Sequence, residues 1–269
     1  MSDAIIGMHE WFETPPGRYL VAWERAEFDR AVADIFGFHA LQLGLPEIDT
    51  LAANRMPHRW LALQEPPQKP SPKGSAGKPS LVTDFAALPF EENSLDLVVL
   101  PHSLELNIDP HATLREVERV LMPEGKVVIS CMNPASLWGL RQRRAHVYRK
   151  LGFGDLYLPA EGEFIGYWRL RDWLRLLSFE VEASHFGCWR PSFKTERWLE
   201  RFDWMDHAGE RWWPIFGAVY FIVAVKRVRG IKLIGPAWRG KPAIATAPVP
   251  LANRRRPNVT YLEAEEEVL

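Results

Sequence analysis

The sequence predicts an α/β fold: one sheet, mostly parallel, with helices on both faces. Three observations carry that expectation. Between Leu81 and Cys131 short apolar runs alternate with a segment of helical period, Pro110 to Leu121. The runs Leu95 to Leu100 and Lys126 to Cys131 are hydrophobic nearly throughout instead of alternating, the pattern of strands buried on both faces. The chain has 269 residues, 47% hydrophobic and 25% charged, which suits one sizeable core with appendages.

The elements follow in order. Pro15, Pro16 and Gly17 break the chain, after which Tyr19, Leu20, Trp23, Ala26, Phe28, Ala31, Val32 and Ile35 recur at helical spacing up to Gly37 and predict an amphipathic helix. His39 to Gly44 reads as a strand entering a turn, and Arg59 to Gln64 as a second strand. Residues 64–79, with five prolines between Glu65 and Pro79, bury too little surface to order themselves and are expected to be a flexible insertion. Ser80 to Asp84, Leu95 to Leu100 and Lys126 to Cys131 supply three more strands, and Leu114, Val117, Val120 and Leu121 form the apolar stripe of the helix before the last of them. Downstream, Tyr167 to Leu177 reads as a helix, Phe179 to Phe186 as a strand, Lys194 to Trp204 as a helix and Ala218 to Val228 as a long final strand. Residues 229–269 combine prolines, the basic Arg254 to Arg256 and an acidic end, and are expected to form a disordered tail. A single domain over residues 1–228 is the simplest organisation.

Bulk properties exclude several classes. A formal net charge of -1 gives no global attraction to polyanions, so a nucleic-acid or membrane contact needs a local patch. Cys131 and Cys188 lie far apart without metal-ligand spacing, which indicates neither a zinc site nor a disulfide framework and fits a reducing compartment. The first residues carry Asp3, Glu10 and Glu13 where a secretory signal would be basic and then apolar, so a cytoplasmic protein is expected. Trp212 to Val225, the longest apolar stretch, contains Pro214 and Gly217 and falls short of the roughly 20 residues of a spanning helix.

The run Asp84-Phe85-Ala86-Ala87-Leu88-Pro89-Phe90, then Ser94-Leu95-Asp96, Asp109-Pro110, Leu114-Arg115-Glu116-Val117-Glu118-Arg119, and Gly125 leading into Lys126 to Ser130, resembles the core of the type 11 class I S-adenosylmethionine-dependent methyltransferases. The resemblance implies a Rossmann-like, seven-stranded sheet in the order 3-2-1-4-5-7-6 with the last strand antiparallel. It implies S-adenosyl-L-methionine as cofactor and methyl transfer as the activity. It also implies that Asp84 accepts a hydrogen bond from the adenine amino group and that the Phe85 N–H meets the adjacent ring nitrogen. Position argues the same way, because ligands of open parallel sheets sit at the carboxyl ends of the strands. The alternative for Asp84 is a cap on the turn toward Pro89.

The first loop departs from the family. Its acidic turn, D/E-x-G-x-G-x-G, lets the backbone approach the cofactor closely. The matching segment here is Gln42-Leu43-Gly44-Leu45-Pro46, in which one glycine remains and a proline has removed a donor. Gly44 and Leu45 are the cofactor-contact candidates of this turn. Glu65 is the candidate for the ribose hydroxyls, and His102, after the Leu95 strand, stands where the family faces the methionine part. Cofactor binding through a reshaped first loop is the expectation, and a binding or regulatory protein that kept the fold and lost turnover is the alternative this loop motivates.

Methyl transfer from a sulfonium is an in-line displacement that needs alignment first and a base only for a protonated acceptor. His102 and His185 are the candidate bases. Asn133-Pro134-Ala135-Ser136 follows the fifth strand and ends without an aromatic residue, which separates it from the base-methylating signature. Leu137 to Lys150 is a basic helix with interleaved aromatics, either a solvated face or a contact for an anionic substrate, a phospholipid surface or RNA. Seven of the chain's 12 tryptophans lie between Trp168 and Trp213. Residues 137–215 are expected to form an acceptor-side lid for a hydrophobic, aromatic or lipid-like small molecule, with RNA-directed methylation through Arg141 to Lys150 as the trailing alternative.

Overall fold

A computed structural model of the chain describes residues 8–66, 80–150, 157–158 and 162–228. The expected insertion, apart from residues 64–66, and the expected tail lie outside the described residues. The strands are β1 (His39–Leu43), β2 (His58–Leu63), β3 (Leu81–Val82), β4 (Leu95–Pro101), β5 (Leu121–Met132), β6 (Phe179–Gly187) and β7 (Val219–Lys226). They form one sheet in the order β3-β2-β1-β4-β5-β7-β6, parallel from β3 to β5, with β7 antiparallel to both its neighbours. This is the Rossmann-like order expected from the resemblance. The sequence-read strand at Ser80 to Asp84 pairs only through Leu81 and Val82.

Residues alternate between two cores across the pleat. Val127, Ile129 and Cys131 of β5 face one side with Leu114, Val117 and Val120 of α4 (Pro110–Val120) and Leu170 and Leu174 of α6 (Tyr167–Leu176). Val128 and Met132 face the other, with Trp11 and Phe12 of α1 (Met8–Phe12), Leu20, Phe28 and Val32 of α2 (Pro15–Ala33), and Trp138 of α5 (Leu137–Lys150).

Helix α2 begins where the sequence breaks: Thr14 caps it, its hydroxyl accepting from the Gly17 N–H, and Pro15 and Pro16 occupy positions whose N–H groups would be unpaired anyway. Asp96 at the start of β4 accepts from the N–H groups of Phe38 and His39 and so ties the entry of β1 to its neighbour. Residues 44–57 run from β1 to β2 in turns, where a helix is the usual parallel crossover. Apolar Ile48, Leu51 and Met56 cover the sheet there. The helix read at Lys194 to Trp204 is shorter, α7 (Glu196–Arg201), because Phe202 and Asp203 close it with turn bonds back to Leu199 and Glu200. A further helix that the sequence reading did not assign, α8 (Trp204–Trp212), follows. Among the described residues no helix is long and apolar enough to cross a membrane.

Candidate functional site

Strand order reverses between β1 and β4, and at their carboxyl ends the two chains diverge, which opens the place where such sheets bind ligands. A short helix, α3 (Ser103–Leu106), follows β4. The Ser103 hydroxyl donates to the Leu43 carbonyl, with that of Pro101 3.1 Å away, so one side chain holds the two strand ends together. Gly44 follows with φ 75° and Leu45 with φ 33°, two successive left-handed residues that turn the chain sharply off the sheet. A Cβ at Gly44 would stand 3.0 Å from Ser103 Oγ, so glycine is required here both for its conformation and for the close approach.

On the β3 side the turn 84–90 is open to solvent and rigidly held. Asp84 is exposed; one carboxylate oxygen accepts the Ala86 N–H at 2.9 Å, which realises the cap reading and leaves the second oxygen with spare capacity. The Phe85 ring is buried against the core while its backbone N–H has no partner among the described residues. Glu116 and Arg119 of α4 form a two-pronged pair at 2.7 and 2.9 Å. Glu116 also accepts the Leu88 N–H, and Arg119 donates to the carbonyls of Leu88 and Phe90. The hydrogen bond from Arg119 holds the Glu116 carboxyl below its usual range against the opposing effect of burial, so the pair stays charged. Glu65 lies exposed just past the end of β2.

On the β1 side the loop is closed on itself. The buried Gln42 amide donates to the carbonyls of Leu45 at 2.9 Å and Ile48 at 2.8 Å, with that of Gly44 at 3.3 Å, while its oxygen accepts from the Thr50 N–H and hydroxyl. A carboxylate could not donate to those carbonyls, which gives a physical reason for glutamine where the family carries an acid.

His102 is fully buried with φ 50°. Its Nδ1 is 2.8 Å from Glu105 of α3, and its Nε2 is 2.9 Å from Glu24 of α2. The Glu105 carboxylate also accepts the Met132 N–H of β5. The approach to Glu24 is an ion-pair contact without hydrogen-bond geometry, and Ser130 Oγ nearby is likewise without a hydrogen-bond partner among the described residues. Burial alone pushes the imidazole pKa down, but the charge of Glu24 and the hydrogen bond and charge of Glu105 outweigh it and raise the value to about 10. Burial also pushes the Glu105 carboxyl up, opposed by His102. A buried imidazolium between two acids neither accepts a proton at neutral pH nor meets a ligand, which argues against both the base and the cofactor contact expected of His102. His185 lies on β6, three strands from β4 and so about 14 Å from it at ordinary strand spacing, half-exposed and 3.5 Å from Glu27. It is not gathered into the site.

Sequence reading did not single out Glu24, Ser103 or Glu105. Glu24 carries a visible signal, standing four residues after Leu20 and four before Phe28 on the buried stripe of α2. Cys131 and Cys188 are free and buried, with thiols pushed up by burial. Asn133 is a brace: its amide donates to the carbonyls of Ile215 and Gly217. Of the clustered tryptophans only Trp189 is buried; Trp168, Trp198, Trp204, Trp212 and Trp213 are exposed.

A family model described as a methyltransferase domain matches residues 63–129. The uncharacterized protein YafS of Escherichia coli (strain K12) is 32% identical over 224 residues, 81% of this chain and 80% of that protein. A malonyl-[acyl-carrier protein] O-methyltransferase of Halorhodospira halophila is 30% identical over 126 residues, 40% of this chain and 42% of that enzyme. Among solved structures, a methyltransferase dependent on S-adenosylmethionine from Archaeoglobus fulgidus aligns with a TM-score of 0.51 at 17% identity, over 77% of this chain and 94% of that one. That likeness speaks to the fold.

Proposed function

The chain belongs to the class I S-adenosylmethionine-dependent methyltransferases of the type 11 family, and from that premise we propose that it methylates a hydrophobic, aromatic or lipid-like small molecule. The proposal includes a cytoplasmic site of action and the assignment of cofactor contacts to this chain's residues. One observation carries the assignment: Asp84 and Phe85 present, side by side at the carboxyl edge, a carboxylate oxygen with spare capacity and an N–H without a partner among the described residues. An acceptor beside a donor matches the amino group and adjacent ring nitrogen of adenine, so the residues fit an adenosyl group.

When bound, S-adenosylmethionine supplies an electrophilic methyl group for in-line displacement. Asp84 and Phe85 would hold the adenine and Glu65 the ribose hydroxyls; at the first turn the Gly44 N–H and the Gly44 and Leu45 carbonyls are already engaged, which leaves the Leu45 N–H for the remainder. The Glu116–Arg119 pair fixes the turn that carries the first two, and Ser103 fixes the spacing of β1 and β4. Neither His102 nor His185 is placed as a base, which suits an acceptor that needs no deprotonation or brings its own anion. The Halorhodospira relative, acting on a malonyl carrier, is compatible with an acyl-type acceptor.

Calorimetry with the demethylated product, S-adenosylhomocysteine, tests the reading. Asp84→Ala is expected to weaken binding about 10- to 100-fold, the range of a hydrogen bond to a charged group, with the unfolding midpoint nearly unchanged. Unaltered affinity would remove adenine from this position. A folded wild-type protein that fails to bind at millimolar ligand would instead support the reading of a binding protein without turnover.

A further inference from the structure

The proposed cofactor contacts leave unused a groove of about 570 Å³ along the outer face of α5. Its apolar wall includes Leu137, Leu140 and Tyr148, and its cations are Arg141, Arg144 and Lys194, with no carboxylate among the lining residues. Leu137, Leu140 and Tyr148 are each about half exposed, at 49%, 54% and 48%. Asn133, just before α5, donates to the carbonyls of Ile215 and Gly217, and Ile215 and Phe216 there are about half exposed. Trp212 and Trp213 precede them and are exposed as well.

We propose that this face docks the protein on an anionic phospholipid surface, Arg141 and Arg144 of α5 at the headgroups and Leu137 and Leu140 entering the acyl boundary. Charge and shape select that occupant. Among the described residues the groove carries Arg141 and Arg144 of α5 and no acid in its lining, which is complementary to a negative surface. Protruding leucine side chains match hydrocarbon, whereas single-stranded nucleic acid is gripped by aromatic platforms in a basic groove, and a small soluble anion has no use for them. Exposed Trp198, packed on Phe193 between the lining residues Ser192 and Lys194, suits the headgroup level, where one edge of the ring is wet and the rest apolar. Arg141 is held in place by the Ser192 carbonyl and lies 4.6 Å over the Tyr157 ring, so its guanidinium is positioned before docking. The inference extends the lipid-like acceptor reading above by supplying the surface from which such an acceptor is drawn.

Co-sedimentation of the full chain with vesicles of phosphatidylcholine, with and without about one third phosphatidylglycerol, tests it. Binding is expected to the anionic vesicles only and to fall with added salt. Arg144→Glu is expected to weaken it about thirtyfold, at roughly fivefold for each unit of charge near such a surface, and Leu140→Ser to weaken it at every salt concentration. Both substitutions are at exposed positions and leave the Arg141 contacts intact. Equal binding to both vesicle types, no binding, or binding indifferent to Arg144→Glu overturns the proposal. So does capture of an RNA oligonucleotide or of soluble glycerol phosphate that Arg144→Glu abolishes while vesicles are ignored. Titration of the same samples with S-adenosylhomocysteine keeps the two readings apart: cofactor bound without vesicles sinks only the docking face, and vesicles bound without cofactor sink only the cofactor contacts.

Discussion

The two halves of the carboxyl edge treat their polar groups in opposite ways. Around β3, the exposed Asp84 keeps a carboxylate oxygen with spare capacity, and the Phe85 N–H has no partner among the described residues. Around β1 and β4, Gln42, Ser103, His102, Glu24 and Glu105 are buried and turned on one another. Spare capacity marks the half that can bind. Mutual engagement marks the half that holds the fold together, so substitutions on the two sides should separate into losses of affinity and losses of stability.

The largest effect is expected at His102. His102→Leu leaves Glu24 and Glu105 buried without their shared cation and should cost about 3–5 kcal/mol in urea unfolding, the range for a buried ion pair broken on one side. The proton itself has a definite pH window. The folded pKa of about 10 lies above the ordinary value of 6.5, so its stabilisation is fully present below about pH 6.5 and lost as pH rises toward 10. Imidazole nitrogen shifts should show His102 doubly protonated at pH 8. A neutral ring there would mean that burial, not the two acids, controls the site.

Gln42→Glu is expected to come next. The new carboxylate would face the carbonyls of Leu45 and Ile48 with no hydrogen to donate, at about 1–3 kcal/mol for the buried groups left unsatisfied. A variant as stable as wild type would show that the loop reorganises freely and that its closure is not a property of glutamine.

How legible this contrast is from sequence depends on where each group finds its partner. The parallel strands and α4 were readable because burial on both faces, or on one helical stripe, leaves a local pattern in Leu95 to Leu100 and in Leu114, Val117 and Val120. The proposed roles of Asp84 and Phe85 come through the resemblance of their surroundings. Glu24, Glu105 and His102 become one cluster only when α2, α3 and the end of β4 meet, from positions up to 81 residues apart, and their burial shows as nothing more than a glutamate on an apolar stripe. The turns at residues 44–57 that stand where a crossover helix is usual depend on Gln42, whose donors have no periodicity to announce them. The end of α7 at Arg201 was missed because apolar spacing runs through the turn at Phe202 and Asp203.

The smallest effect sharpens the comparison most, because it links the halves' two roles at one residue. Arg119 touches no proposed ligand group, but its fork holds Glu116 and two carbonyls of the turn that presents Asp84 and Phe85. Arg119→Lys keeps the charge and loses the planar fork, so at most some of those four contacts can survive in one geometry. Stability should fall by about 1 kcal/mol, the worth of a net hydrogen bond, and affinity for S-adenosylhomocysteine by a few fold, since the turn loosens without losing its ligand groups. In the double variant with Asp84→Ala the affinity losses should be less than additive, because a loosened turn has nothing left to misplace once the carboxylate is gone. Full additivity would show that Arg119 affects affinity by a route independent of the Asp84 carboxylate, and an unchanged affinity in the single variant would show that it acts on stability alone.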